Sequence, residues 1–184
     1  MNTGVVSKRF AKALLLYSMQ QGREDKVYEE VETLAQSYNE VPKLRKAVDN
    51  PVLEKDKKLA LLKEAAGGKG VSDELMRFFQ LVLDGKRESF LQFMAWSFID
   101  QYRMKKNIHV GKLTMAVPAP SLVTRMEKMM GKDTGASVEL ATKVDPALIG
   151  GFIIELGGYR MDASVANQLE RMKGEFMARN RRIV

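Results

Sequence analysis

The stretch LIGGFIIELGGYRMDASVANQL, residues 148–169, holds two glycine pairs separated by a short apolar segment. Glycine within such a segment is destabilising by roughly 0.5–1 kcal/mol relative to alanine, so the pair Gly150–Gly151 needs a physical reason. Either a phosphate approaches the backbone there, or a strand bends and packs closely against a neighbour. Residues 152–156 alternate as a strand does, and Gly157–Gly158 then fits a tight hairpin turn. The pattern favours structural glycines inside and after a strand.

The glycine-rich segments do not fit a nucleotide-binding loop. A dinucleotide fingerprint requires G-x-G-x-x-G directly between a strand and a helix, and neither glycine pair lies in that position. Gly131 and Lys132 are followed by Asp133, where a P-loop needs Ser or Thr. The cluster at residues 67–70 has no strand before it and is typical of a helix end. The sequence therefore predicts no cofactor.

The composition excludes several kinds of catalytic and metal site. Hydrophobic residues make up 45% and charged residues 29% of the 184 residues, as in ordinary globular proteins. The chain has no cysteine, so disulfides and thiolate metal sites are impossible. Its single histidine, His109, has no Ser, Asp or Glu at a suggestive spacing and is predicted to be an exposed linker residue. We expect no catalytic residue and no metal, and therefore a binding protein.

Charge and hydropathy bear on the expected partners. No apolar run approaches the ~18–20 residues needed to cross a bilayer, so direct bilayer insertion is not expected. The net charge of +7 is spread along the chain, and only residues 179–182 are locally basic. Nucleic-acid grooves need clustered charge on one face. A basic helical adaptor that binds nucleic acid is therefore the alternative hypothesis, and the favoured one involves no nucleic acid.

The first half, residues 1–106, is predicted to be a mostly helical domain. Apolar residues recur at helical spacing, and Gly22, Pro42, Pro51 and Gly85 separate the segments. The pattern predicts an antiparallel six-helix bundle with helices at 5–20, 23–41, 42–48, 54–66, 72–85 and 86–106. The first and last of these helices are apolar on all sides. Either neighbouring helices surround them, or they form a groove for an amphipathic helix of another protein.

The second half, residues 107–184, is predicted to be a small α/β module. Alternation predicts strands at 113–117, 138–144, 152–156 and 159–161, with a helix at 121–131 before the second strand. A last helix carries one apolar stripe, which we expect to cover the sheet. Its members are Val165, Leu169, Met172 and Phe176.

Four blocks of sequence resemble one family. Residues 9–14 (RFAKAL) are similar to its opening R-[YF]-A-x-A-L, Asn50-Pro51 before a lysine-rich helix matches its middle, and residues 81–87 (LVLDGKR) resemble its helix-turn-helix. The most specific block is residues 144–152 (VDPALIGGF), continued by residues 162–165 (DASV) and Leu169. Together they resemble, over the whole chain, the delta subunit of bacterial F-type ATP synthase, whose mitochondrial counterpart is the oligomycin sensitivity-conferring protein. Ala163 replaces the glycine of many members.

The resemblance implies a non-catalytic stator subunit of the peripheral stalk, which couples ion-driven rotation to ATP synthesis. Residues 1–106 would bind N-terminal helices of the alpha subunits, and residues 107–184 would bind the b subunits. The chain would lie peripherally on the cytoplasmic face of the bacterial plasma (inner) membrane. The expected contacts with an alpha helix are Leu15, Met19, Phe79 and Leu83. The expected structural signature is Phe10, Gly150, Gly151, Asp162 and Ser164, with Asp162 or Ser164 capping the last helix.

Overall fold

The computed structural model describes residues 3–180, without the side chains of residues 3, 69, 133, 134 and 178–180. The backbone is mostly helical and includes one small sheet of four strands. It divides into two compact units, residues 1–105 and 106–184. Within the described part, no helix is both long and apolar enough to cross a membrane. The side chains of the basic segment 179–182 lie outside the description.

Six α-helices make up most of the first unit. The fifth helix is capped by Ser72, whose side-chain oxygen accepts a hydrogen bond from the backbone N–H of Leu75, as its position before an acidic first turn predicts. The sixth helix was expected from residue 86 but begins at Leu91, because a 3₁₀ turn occupies Glu88–Phe90. The helices are α1 Thr3–Gln20, α2 Glu24–Glu40, α3 Pro42–Val48, α4 Lys55–Ala65, α5 Asp73–Asp84 and α6 Leu91–Lys106.

The core of the first unit is built from one apolar face of each long helix. On α2 the buried residues include the predicted stripe at positions 27, 31, 34 and 38. Two phenylalanines, Phe79 of α5 and Phe98 of α6, are completely buried. The other large side chains with almost no exposure are Leu34, Leu62, Leu75, Leu91, Met94 and Ile99. This burial is the main stabilising contribution to the unit.

Two carboxylates, buried Glu30 and partly buried Glu88, join segments that are distant in sequence. Glu30 of α2 accepts hydrogen bonds from the backbone N–H of Ser72 (2.8 Å) and from its hydroxyl (2.5 Å). Lys58 of α4 is buried and pairs with Glu88 at 2.7 Å. Burial alone would raise the pKa of Glu88, but the hydrogen bond and charge of Lys58 outweigh it and hold the pKa below its usual value.

The second unit contains a mixed sheet with the strand order β2-β1-β3-β4. Strands β1 and β2 are parallel and are connected through α7, whereas β1–β3 and β3–β4 are antiparallel. Gly157 and Gly158 both have positive φ, which a type I′ hairpin turn between β3 and β4 requires. The elements are β1 Ile108–Met115, α7 Pro120–Thr134, β2 Ser137–Val144, β3 Phe152–Leu156, β4 Tyr159–Asp162 and α8 Val165–Asn180.

Two expectations for the second unit are wrong. The first strand begins earlier than predicted and ends before Val117, which is exposed, so His109 belongs to β1 and not to a linker. The helix that covers the sheet is α7, not α8. Leu122, Met126 and Met130 of α7 pack on a sheet core of Leu113, Met115, Val138, Leu140 and Ile154. Alternation within the strands identified the buried face, but it could not say which of two amphipathic helices covers it.

Candidate partner-binding surfaces

The short segment between β4 and α8 lies directly against the backbone of Gly150 and Gly151. Gly150 and Gly151 lie in the turn before β3, not inside the strand as expected. Gly151 has a φ of 76°, and a Cβ atom there would overlap the carbonyl oxygen of Ala163 and lie 3.0 Å from the Cα of Ser164. The carbonyl oxygen of Gly150 accepts a hydrogen bond from the N–H of Val165 at 3.0 Å. The glycine pair therefore lets the chain before β3 touch the start of α8.

Asp162 and Ser164 form the cap of α8 together. The hydroxyl of Ser164 accepts a hydrogen bond from the N–H of Asn167 at 3.2 Å and donates one to Oδ1 of Asp162 at 2.6 Å. The same carboxylate oxygen accepts from the N–H of Ser164. Hydrogen bonds from the hydroxyl and the N–H of Ser164 lower the pKa of Asp162, since they favour its charged form. The sequence predicts Asp162 or Ser164 as the cap. In the structure Ser164 caps the helix, and Asp162 holds the hydroxyl and the N–H of Ser164 in place.

The four residues expected to contact an alpha-subunit helix lie mostly in the core. Leu15, Phe79 and Leu83 are 7%, 0% and 4% exposed, and only Met19 is partly exposed. In this conformation the three buried side chains cannot offer surface to a partner. Leu15 belongs to the buried face of α1, together with Ala11, Leu14 and Ser18. That any of the four contacts a partner stays a prediction.

Exposed apolar surface lies beside these buried residues, between α1 and α5. A groove of about 350 Å³ is lined by Val6, Phe10, Ala13 and Leu81, with Arg9 and Arg87 at its sides. Leu81 is 57% exposed. Phe10 has two ring contacts. It packs on Phe78 in a T-shaped arrangement with the ring centres 6.4 Å apart, and the guanidinium of Arg87 lies 5.2 Å from the centre of its own ring.

A second exposed apolar surface is the stripe of α8. The stripe was expected to be buried, but all of its members are exposed, as is the neighbouring Met177. Val165 is the least exposed, and Leu169, Met172, Phe176 and Met177 are each more than half exposed. The side chain of Phe176, the largest of the stripe, is 64% exposed. Exposed apolar side chains that share one helix face are typical of interaction sites. The signal was present in the sequence as helical periodicity, but periodicity cannot show whether the covering residues belong to the same chain.

The described residues offer little for catalysis. Within them, no three His, Asp or Glu side chains come close enough to hold a metal ion. Tyr38, whose hydroxyl is buried without a hydrogen-bond partner, has a raised pKa because of that burial. It lies in the helical core of the first unit. What the described part of each unit does offer is exposed apolar surface.

Comparisons with known proteins give one consistent result. The family model described as ATP synthase delta (OSCP) subunit matches residues 6–176. The chain is 55% identical to the ATP synthase subunit delta of Phocaeicola vulgatus and 45% identical to that of Bacteroides thetaiotaomicron, in both cases over the full length of each chain. Its fold resembles a chain in the cryo-EM structure of the Toxoplasma gondii mitochondrial ATP synthase hexamer. That match has a TM-score of 0.64 and 19% identity, and it covers 93% of this chain and 97% of the other.

Proposed function

The chain belongs to the ATP synthase delta (OSCP) subunit family, and from this premise we propose how its two units work in the peripheral stalk. It is a non-catalytic accessory subunit of the ATP synthase complex. As a stator component it links the soluble catalytic head to the membrane sector, so that ion-driven rotation is coupled to ATP synthesis. A stator subunit needs two separate binding surfaces, one for each part that it links, and no active site. The observation that carries the proposal is the presence of one exposed apolar surface in each unit.

In this proposal the first unit, a six-helix bundle, holds the catalytic head. The groove between α1 and α5 receives the N-terminal helix of an alpha subunit, with apolar side chains of that helix against Phe10 and Leu81. Grooves of this kind bind amphipathic helices through residues at i, i+3, i+4 and i+7. Arg9 and Arg87 at the sides of the groove favour acidic residues on the edges of the incoming helix.

The second unit holds the b subunits through the stripe of α8. A helix with an exposed apolar stripe packs naturally against other helices, because side chains at helical spacing interlock along the contact. The b subunits rise from the membrane sector, and the chain lies peripherally on the cytoplasmic face of the bacterial plasma membrane. Both named relatives are bacterial proteins.

The test is recovery of the complex from detergent-solubilised membranes with this chain as bait. The wild-type chain is expected to recover alpha, beta and b subunits. Leu81→Asp is expected to lose alpha and beta but keep b, since a carboxylate in the apolar groove costs at least about 1–3 kcal/mol. Met172→Asp combined with Phe176→Asp is expected to lose b but keep alpha and beta.

Matched controls separate the surfaces from general effects of charge. Gln80→Asp adds a carboxylate to the exposed surface of α5 beside Leu81, and Arg171→Asp changes the charge of α8 on the face away from the stripe. Both should recover all three subunits. If Leu81→Asp keeps its full complement of head subunits while circular dichroism shows it folded, the α1/α5 groove is not the alpha site. If none of these subunits is recovered by the wild-type chain, the stalk role itself is wrong.

A further inference from the structure

A second groove lies along α1, on the side that faces α6. It has a volume of about 460 Å³ and is separate from the α1/α5 groove, although Arg9 borders both. The two helices run antiparallel here, since the side chain of Gln101 donates a hydrogen bond to the carbonyl oxygen of Lys8 (3.1 Å) while Met104 lies with Val5 at one end of the groove.

The middle of this groove is basic. Lys8, Arg9 and Lys12 line it from α1, and Asp100 is the only acidic residue among its lining side chains. All four side chains are exposed. None of the three cations forms an ion pair with another side chain that the structure describes. A groove with an excess of exposed, unpaired cations favours a negatively charged ligand.

The two ends of the groove are apolar. At one end Val5 is 53% and Met104 is 73% exposed. Moving one helical turn past Lys12 on α1 and past Ser97 on α6 leads to Leu16 and Phe93, which are also about half exposed. Both steps are four residues along antiparallel helices, so these two residues extend the same two faces of the groove. The surface therefore alternates apolar, basic and apolar along its length.

We infer that the α1/α6 groove is a docking site for an acidic amphipathic helix, distinct from the site between α1 and α5. Positions 5 to 16 of α1 span about 16 Å at 1.5 Å per residue, which is the length of three turns of a partner helix. Such a helix would place apolar residues at both ends against the apolar pairs, and glutamates or aspartates in its middle against Lys8 and Lys12. Nucleic acid would leave the apolar ends uncovered. The inference does not depend on the proposed function.

Trp96 allows the site to be tested directly. It is the only tryptophan of the chain and is 40% exposed. It precedes Asp100 and Met104 by one and two turns of α6, so it belongs to the face that borders the groove. The probe is an alanine-based peptide of about 18 residues, long enough to be helical, with leucines at both ends of one face and three glutamates between them. Binding should shift the emission of Trp96 to shorter wavelength and weaken as salt is added.

Three variants locate the binding. Lys8→Glu combined with Lys12→Glu should weaken the peptide at least tenfold, because attraction becomes repulsion at the contact. Lys43→Glu combined with Lys46→Glu makes the same change of net charge on exposed residues of α3 and should change the affinity less than about twofold. Leu81→Asp, in the other groove, should leave it unchanged. Should the double glutamate variant fail to fold by circular dichroism, Lys8→Gln with Lys12→Gln replaces it, with a smaller loss expected.

Several results would overturn the inference. These are an absence of binding up to millimolar peptide, equal loss in the α3 variant, or equal affinity for a peptide with lysines in place of the glutamates. Loss of binding in Leu81→Asp would place the peptide in the α1/α5 groove instead. A random single-stranded oligonucleotide is the last probe. If it binds with the same dependence on Lys8 and Lys12 while the peptide does not, the groove is a nucleic-acid site and the assignment is wrong.

Discussion

The two units use the same kind of apolar stripe in opposite ways. In the first unit the stripe of α2, from Val27 to Tyr38, is buried against helices of the same chain. In the second unit the stripe of α8, from Val165 to Phe176, has the same periodicity and is exposed. Periodicity therefore specifies that a helix has an apolar face, but not which molecule covers it.

The largest expected difference between the units is in the free energy of unfolding lost when a phenylalanine is truncated to alanine. Phe79→Ala should lower the free energy of unfolding by about 3–5 kcal/mol, because it leaves a cavity in a closed core. Phe176→Ala should change it by less than about 0.5 kcal/mol, because the ring is already in solvent. Urea denaturation of both variants measures the contrast. A loss above about 2 kcal/mol in Phe176→Ala would mean that the stripe of α8 is covered within the chain.

Substitutions at two glycines can distinguish the energetic cost of close backbone approach from that of a positive φ angle. Gly151 and Gly158 both have positive φ, of 76° and 85°, but only Gly151 faces another backbone segment. Gly151→Ala should cost roughly 2–4 kcal/mol, from conformation and overlap with Ala163 together. Gly158→Ala should cost about 1 kcal/mol, from conformation alone. Equal losses in thermal unfolding would show that the contact with Ala163 adds nothing.

The buried ion pair of the first unit has no equivalent in the described part of the second. Lys58→Met should cost about 2–3 kcal/mol, since it leaves Glu88 only partly solvated and without its cation. The pKa of Glu88 is lower in the folded than in the unfolded chain, so the pair stabilises the fold above the unfolded pKa. That contribution disappears as the pH falls through the folded pKa.

Denaturation between pH 7 and pH 3 checks both parts of this prediction. The wild-type chain should lose more stability on acidification than Lys58→Met, because the variant has no pair left to lose. Lys57→Met is the control, since Lys57 is exposed and its contact with Glu54 is at the surface. Parallel curves for the wild-type chain and Lys58→Met would contradict the role assigned to the pair.

Most of the helices and strands could be predicted because each is defined by local signals. The end of α1 before Gly22, the cap of α5 at Ser72 and the turn at Gly157 and Gly158 each depend on neighbouring residues only. The start of α6 was missed because a 3₁₀ turn has nearly the same residue spacing as the helix that follows it. The start of β1 at Ile108 was missed because the first residues of the strand include an exposed histidine and a glycine.

The sequence could indicate which helices border an exposed groove, but not which side chains line it. Leu15 and Leu16 are equally apolar neighbours, yet one is 7% and the other 52% exposed. Whether Leu15 or Leu16 points inward depends on where α5 and α6 pack around α1. That packing is tertiary structure, which the local sequence of α1 does not specify. The same holds for Leu81 and Leu83, of which only Leu81 is exposed. An apolar helix in sequence therefore indicates a possible groove without identifying its lining.

The smallest expected effects concern the serines that cap α5 and α8. Both hydroxyls donate to a carboxylate, but Ser72 reaches Glu30 on a different helix, whereas Ser164 reaches Asp162 two residues away. Ser72→Ala should cost about 2 kcal/mol, because buried Glu30 loses a hydrogen bond, and Ser164→Ala only about 1 kcal/mol.

Hydrogen exchange distinguishes these two losses by where they appear. In Ser72→Ala, protection should fall throughout the first unit, because the bond between α2 and α5 is part of its core. In Ser164→Ala it should fall mainly in the first turn of α8, and acidification through the lowered pKa of Asp162 should produce the same local change in the wild-type chain. Loss spread over the whole sheet in Ser164→Ala would mean that α8 is bound to its unit more tightly than its exposed stripe implies.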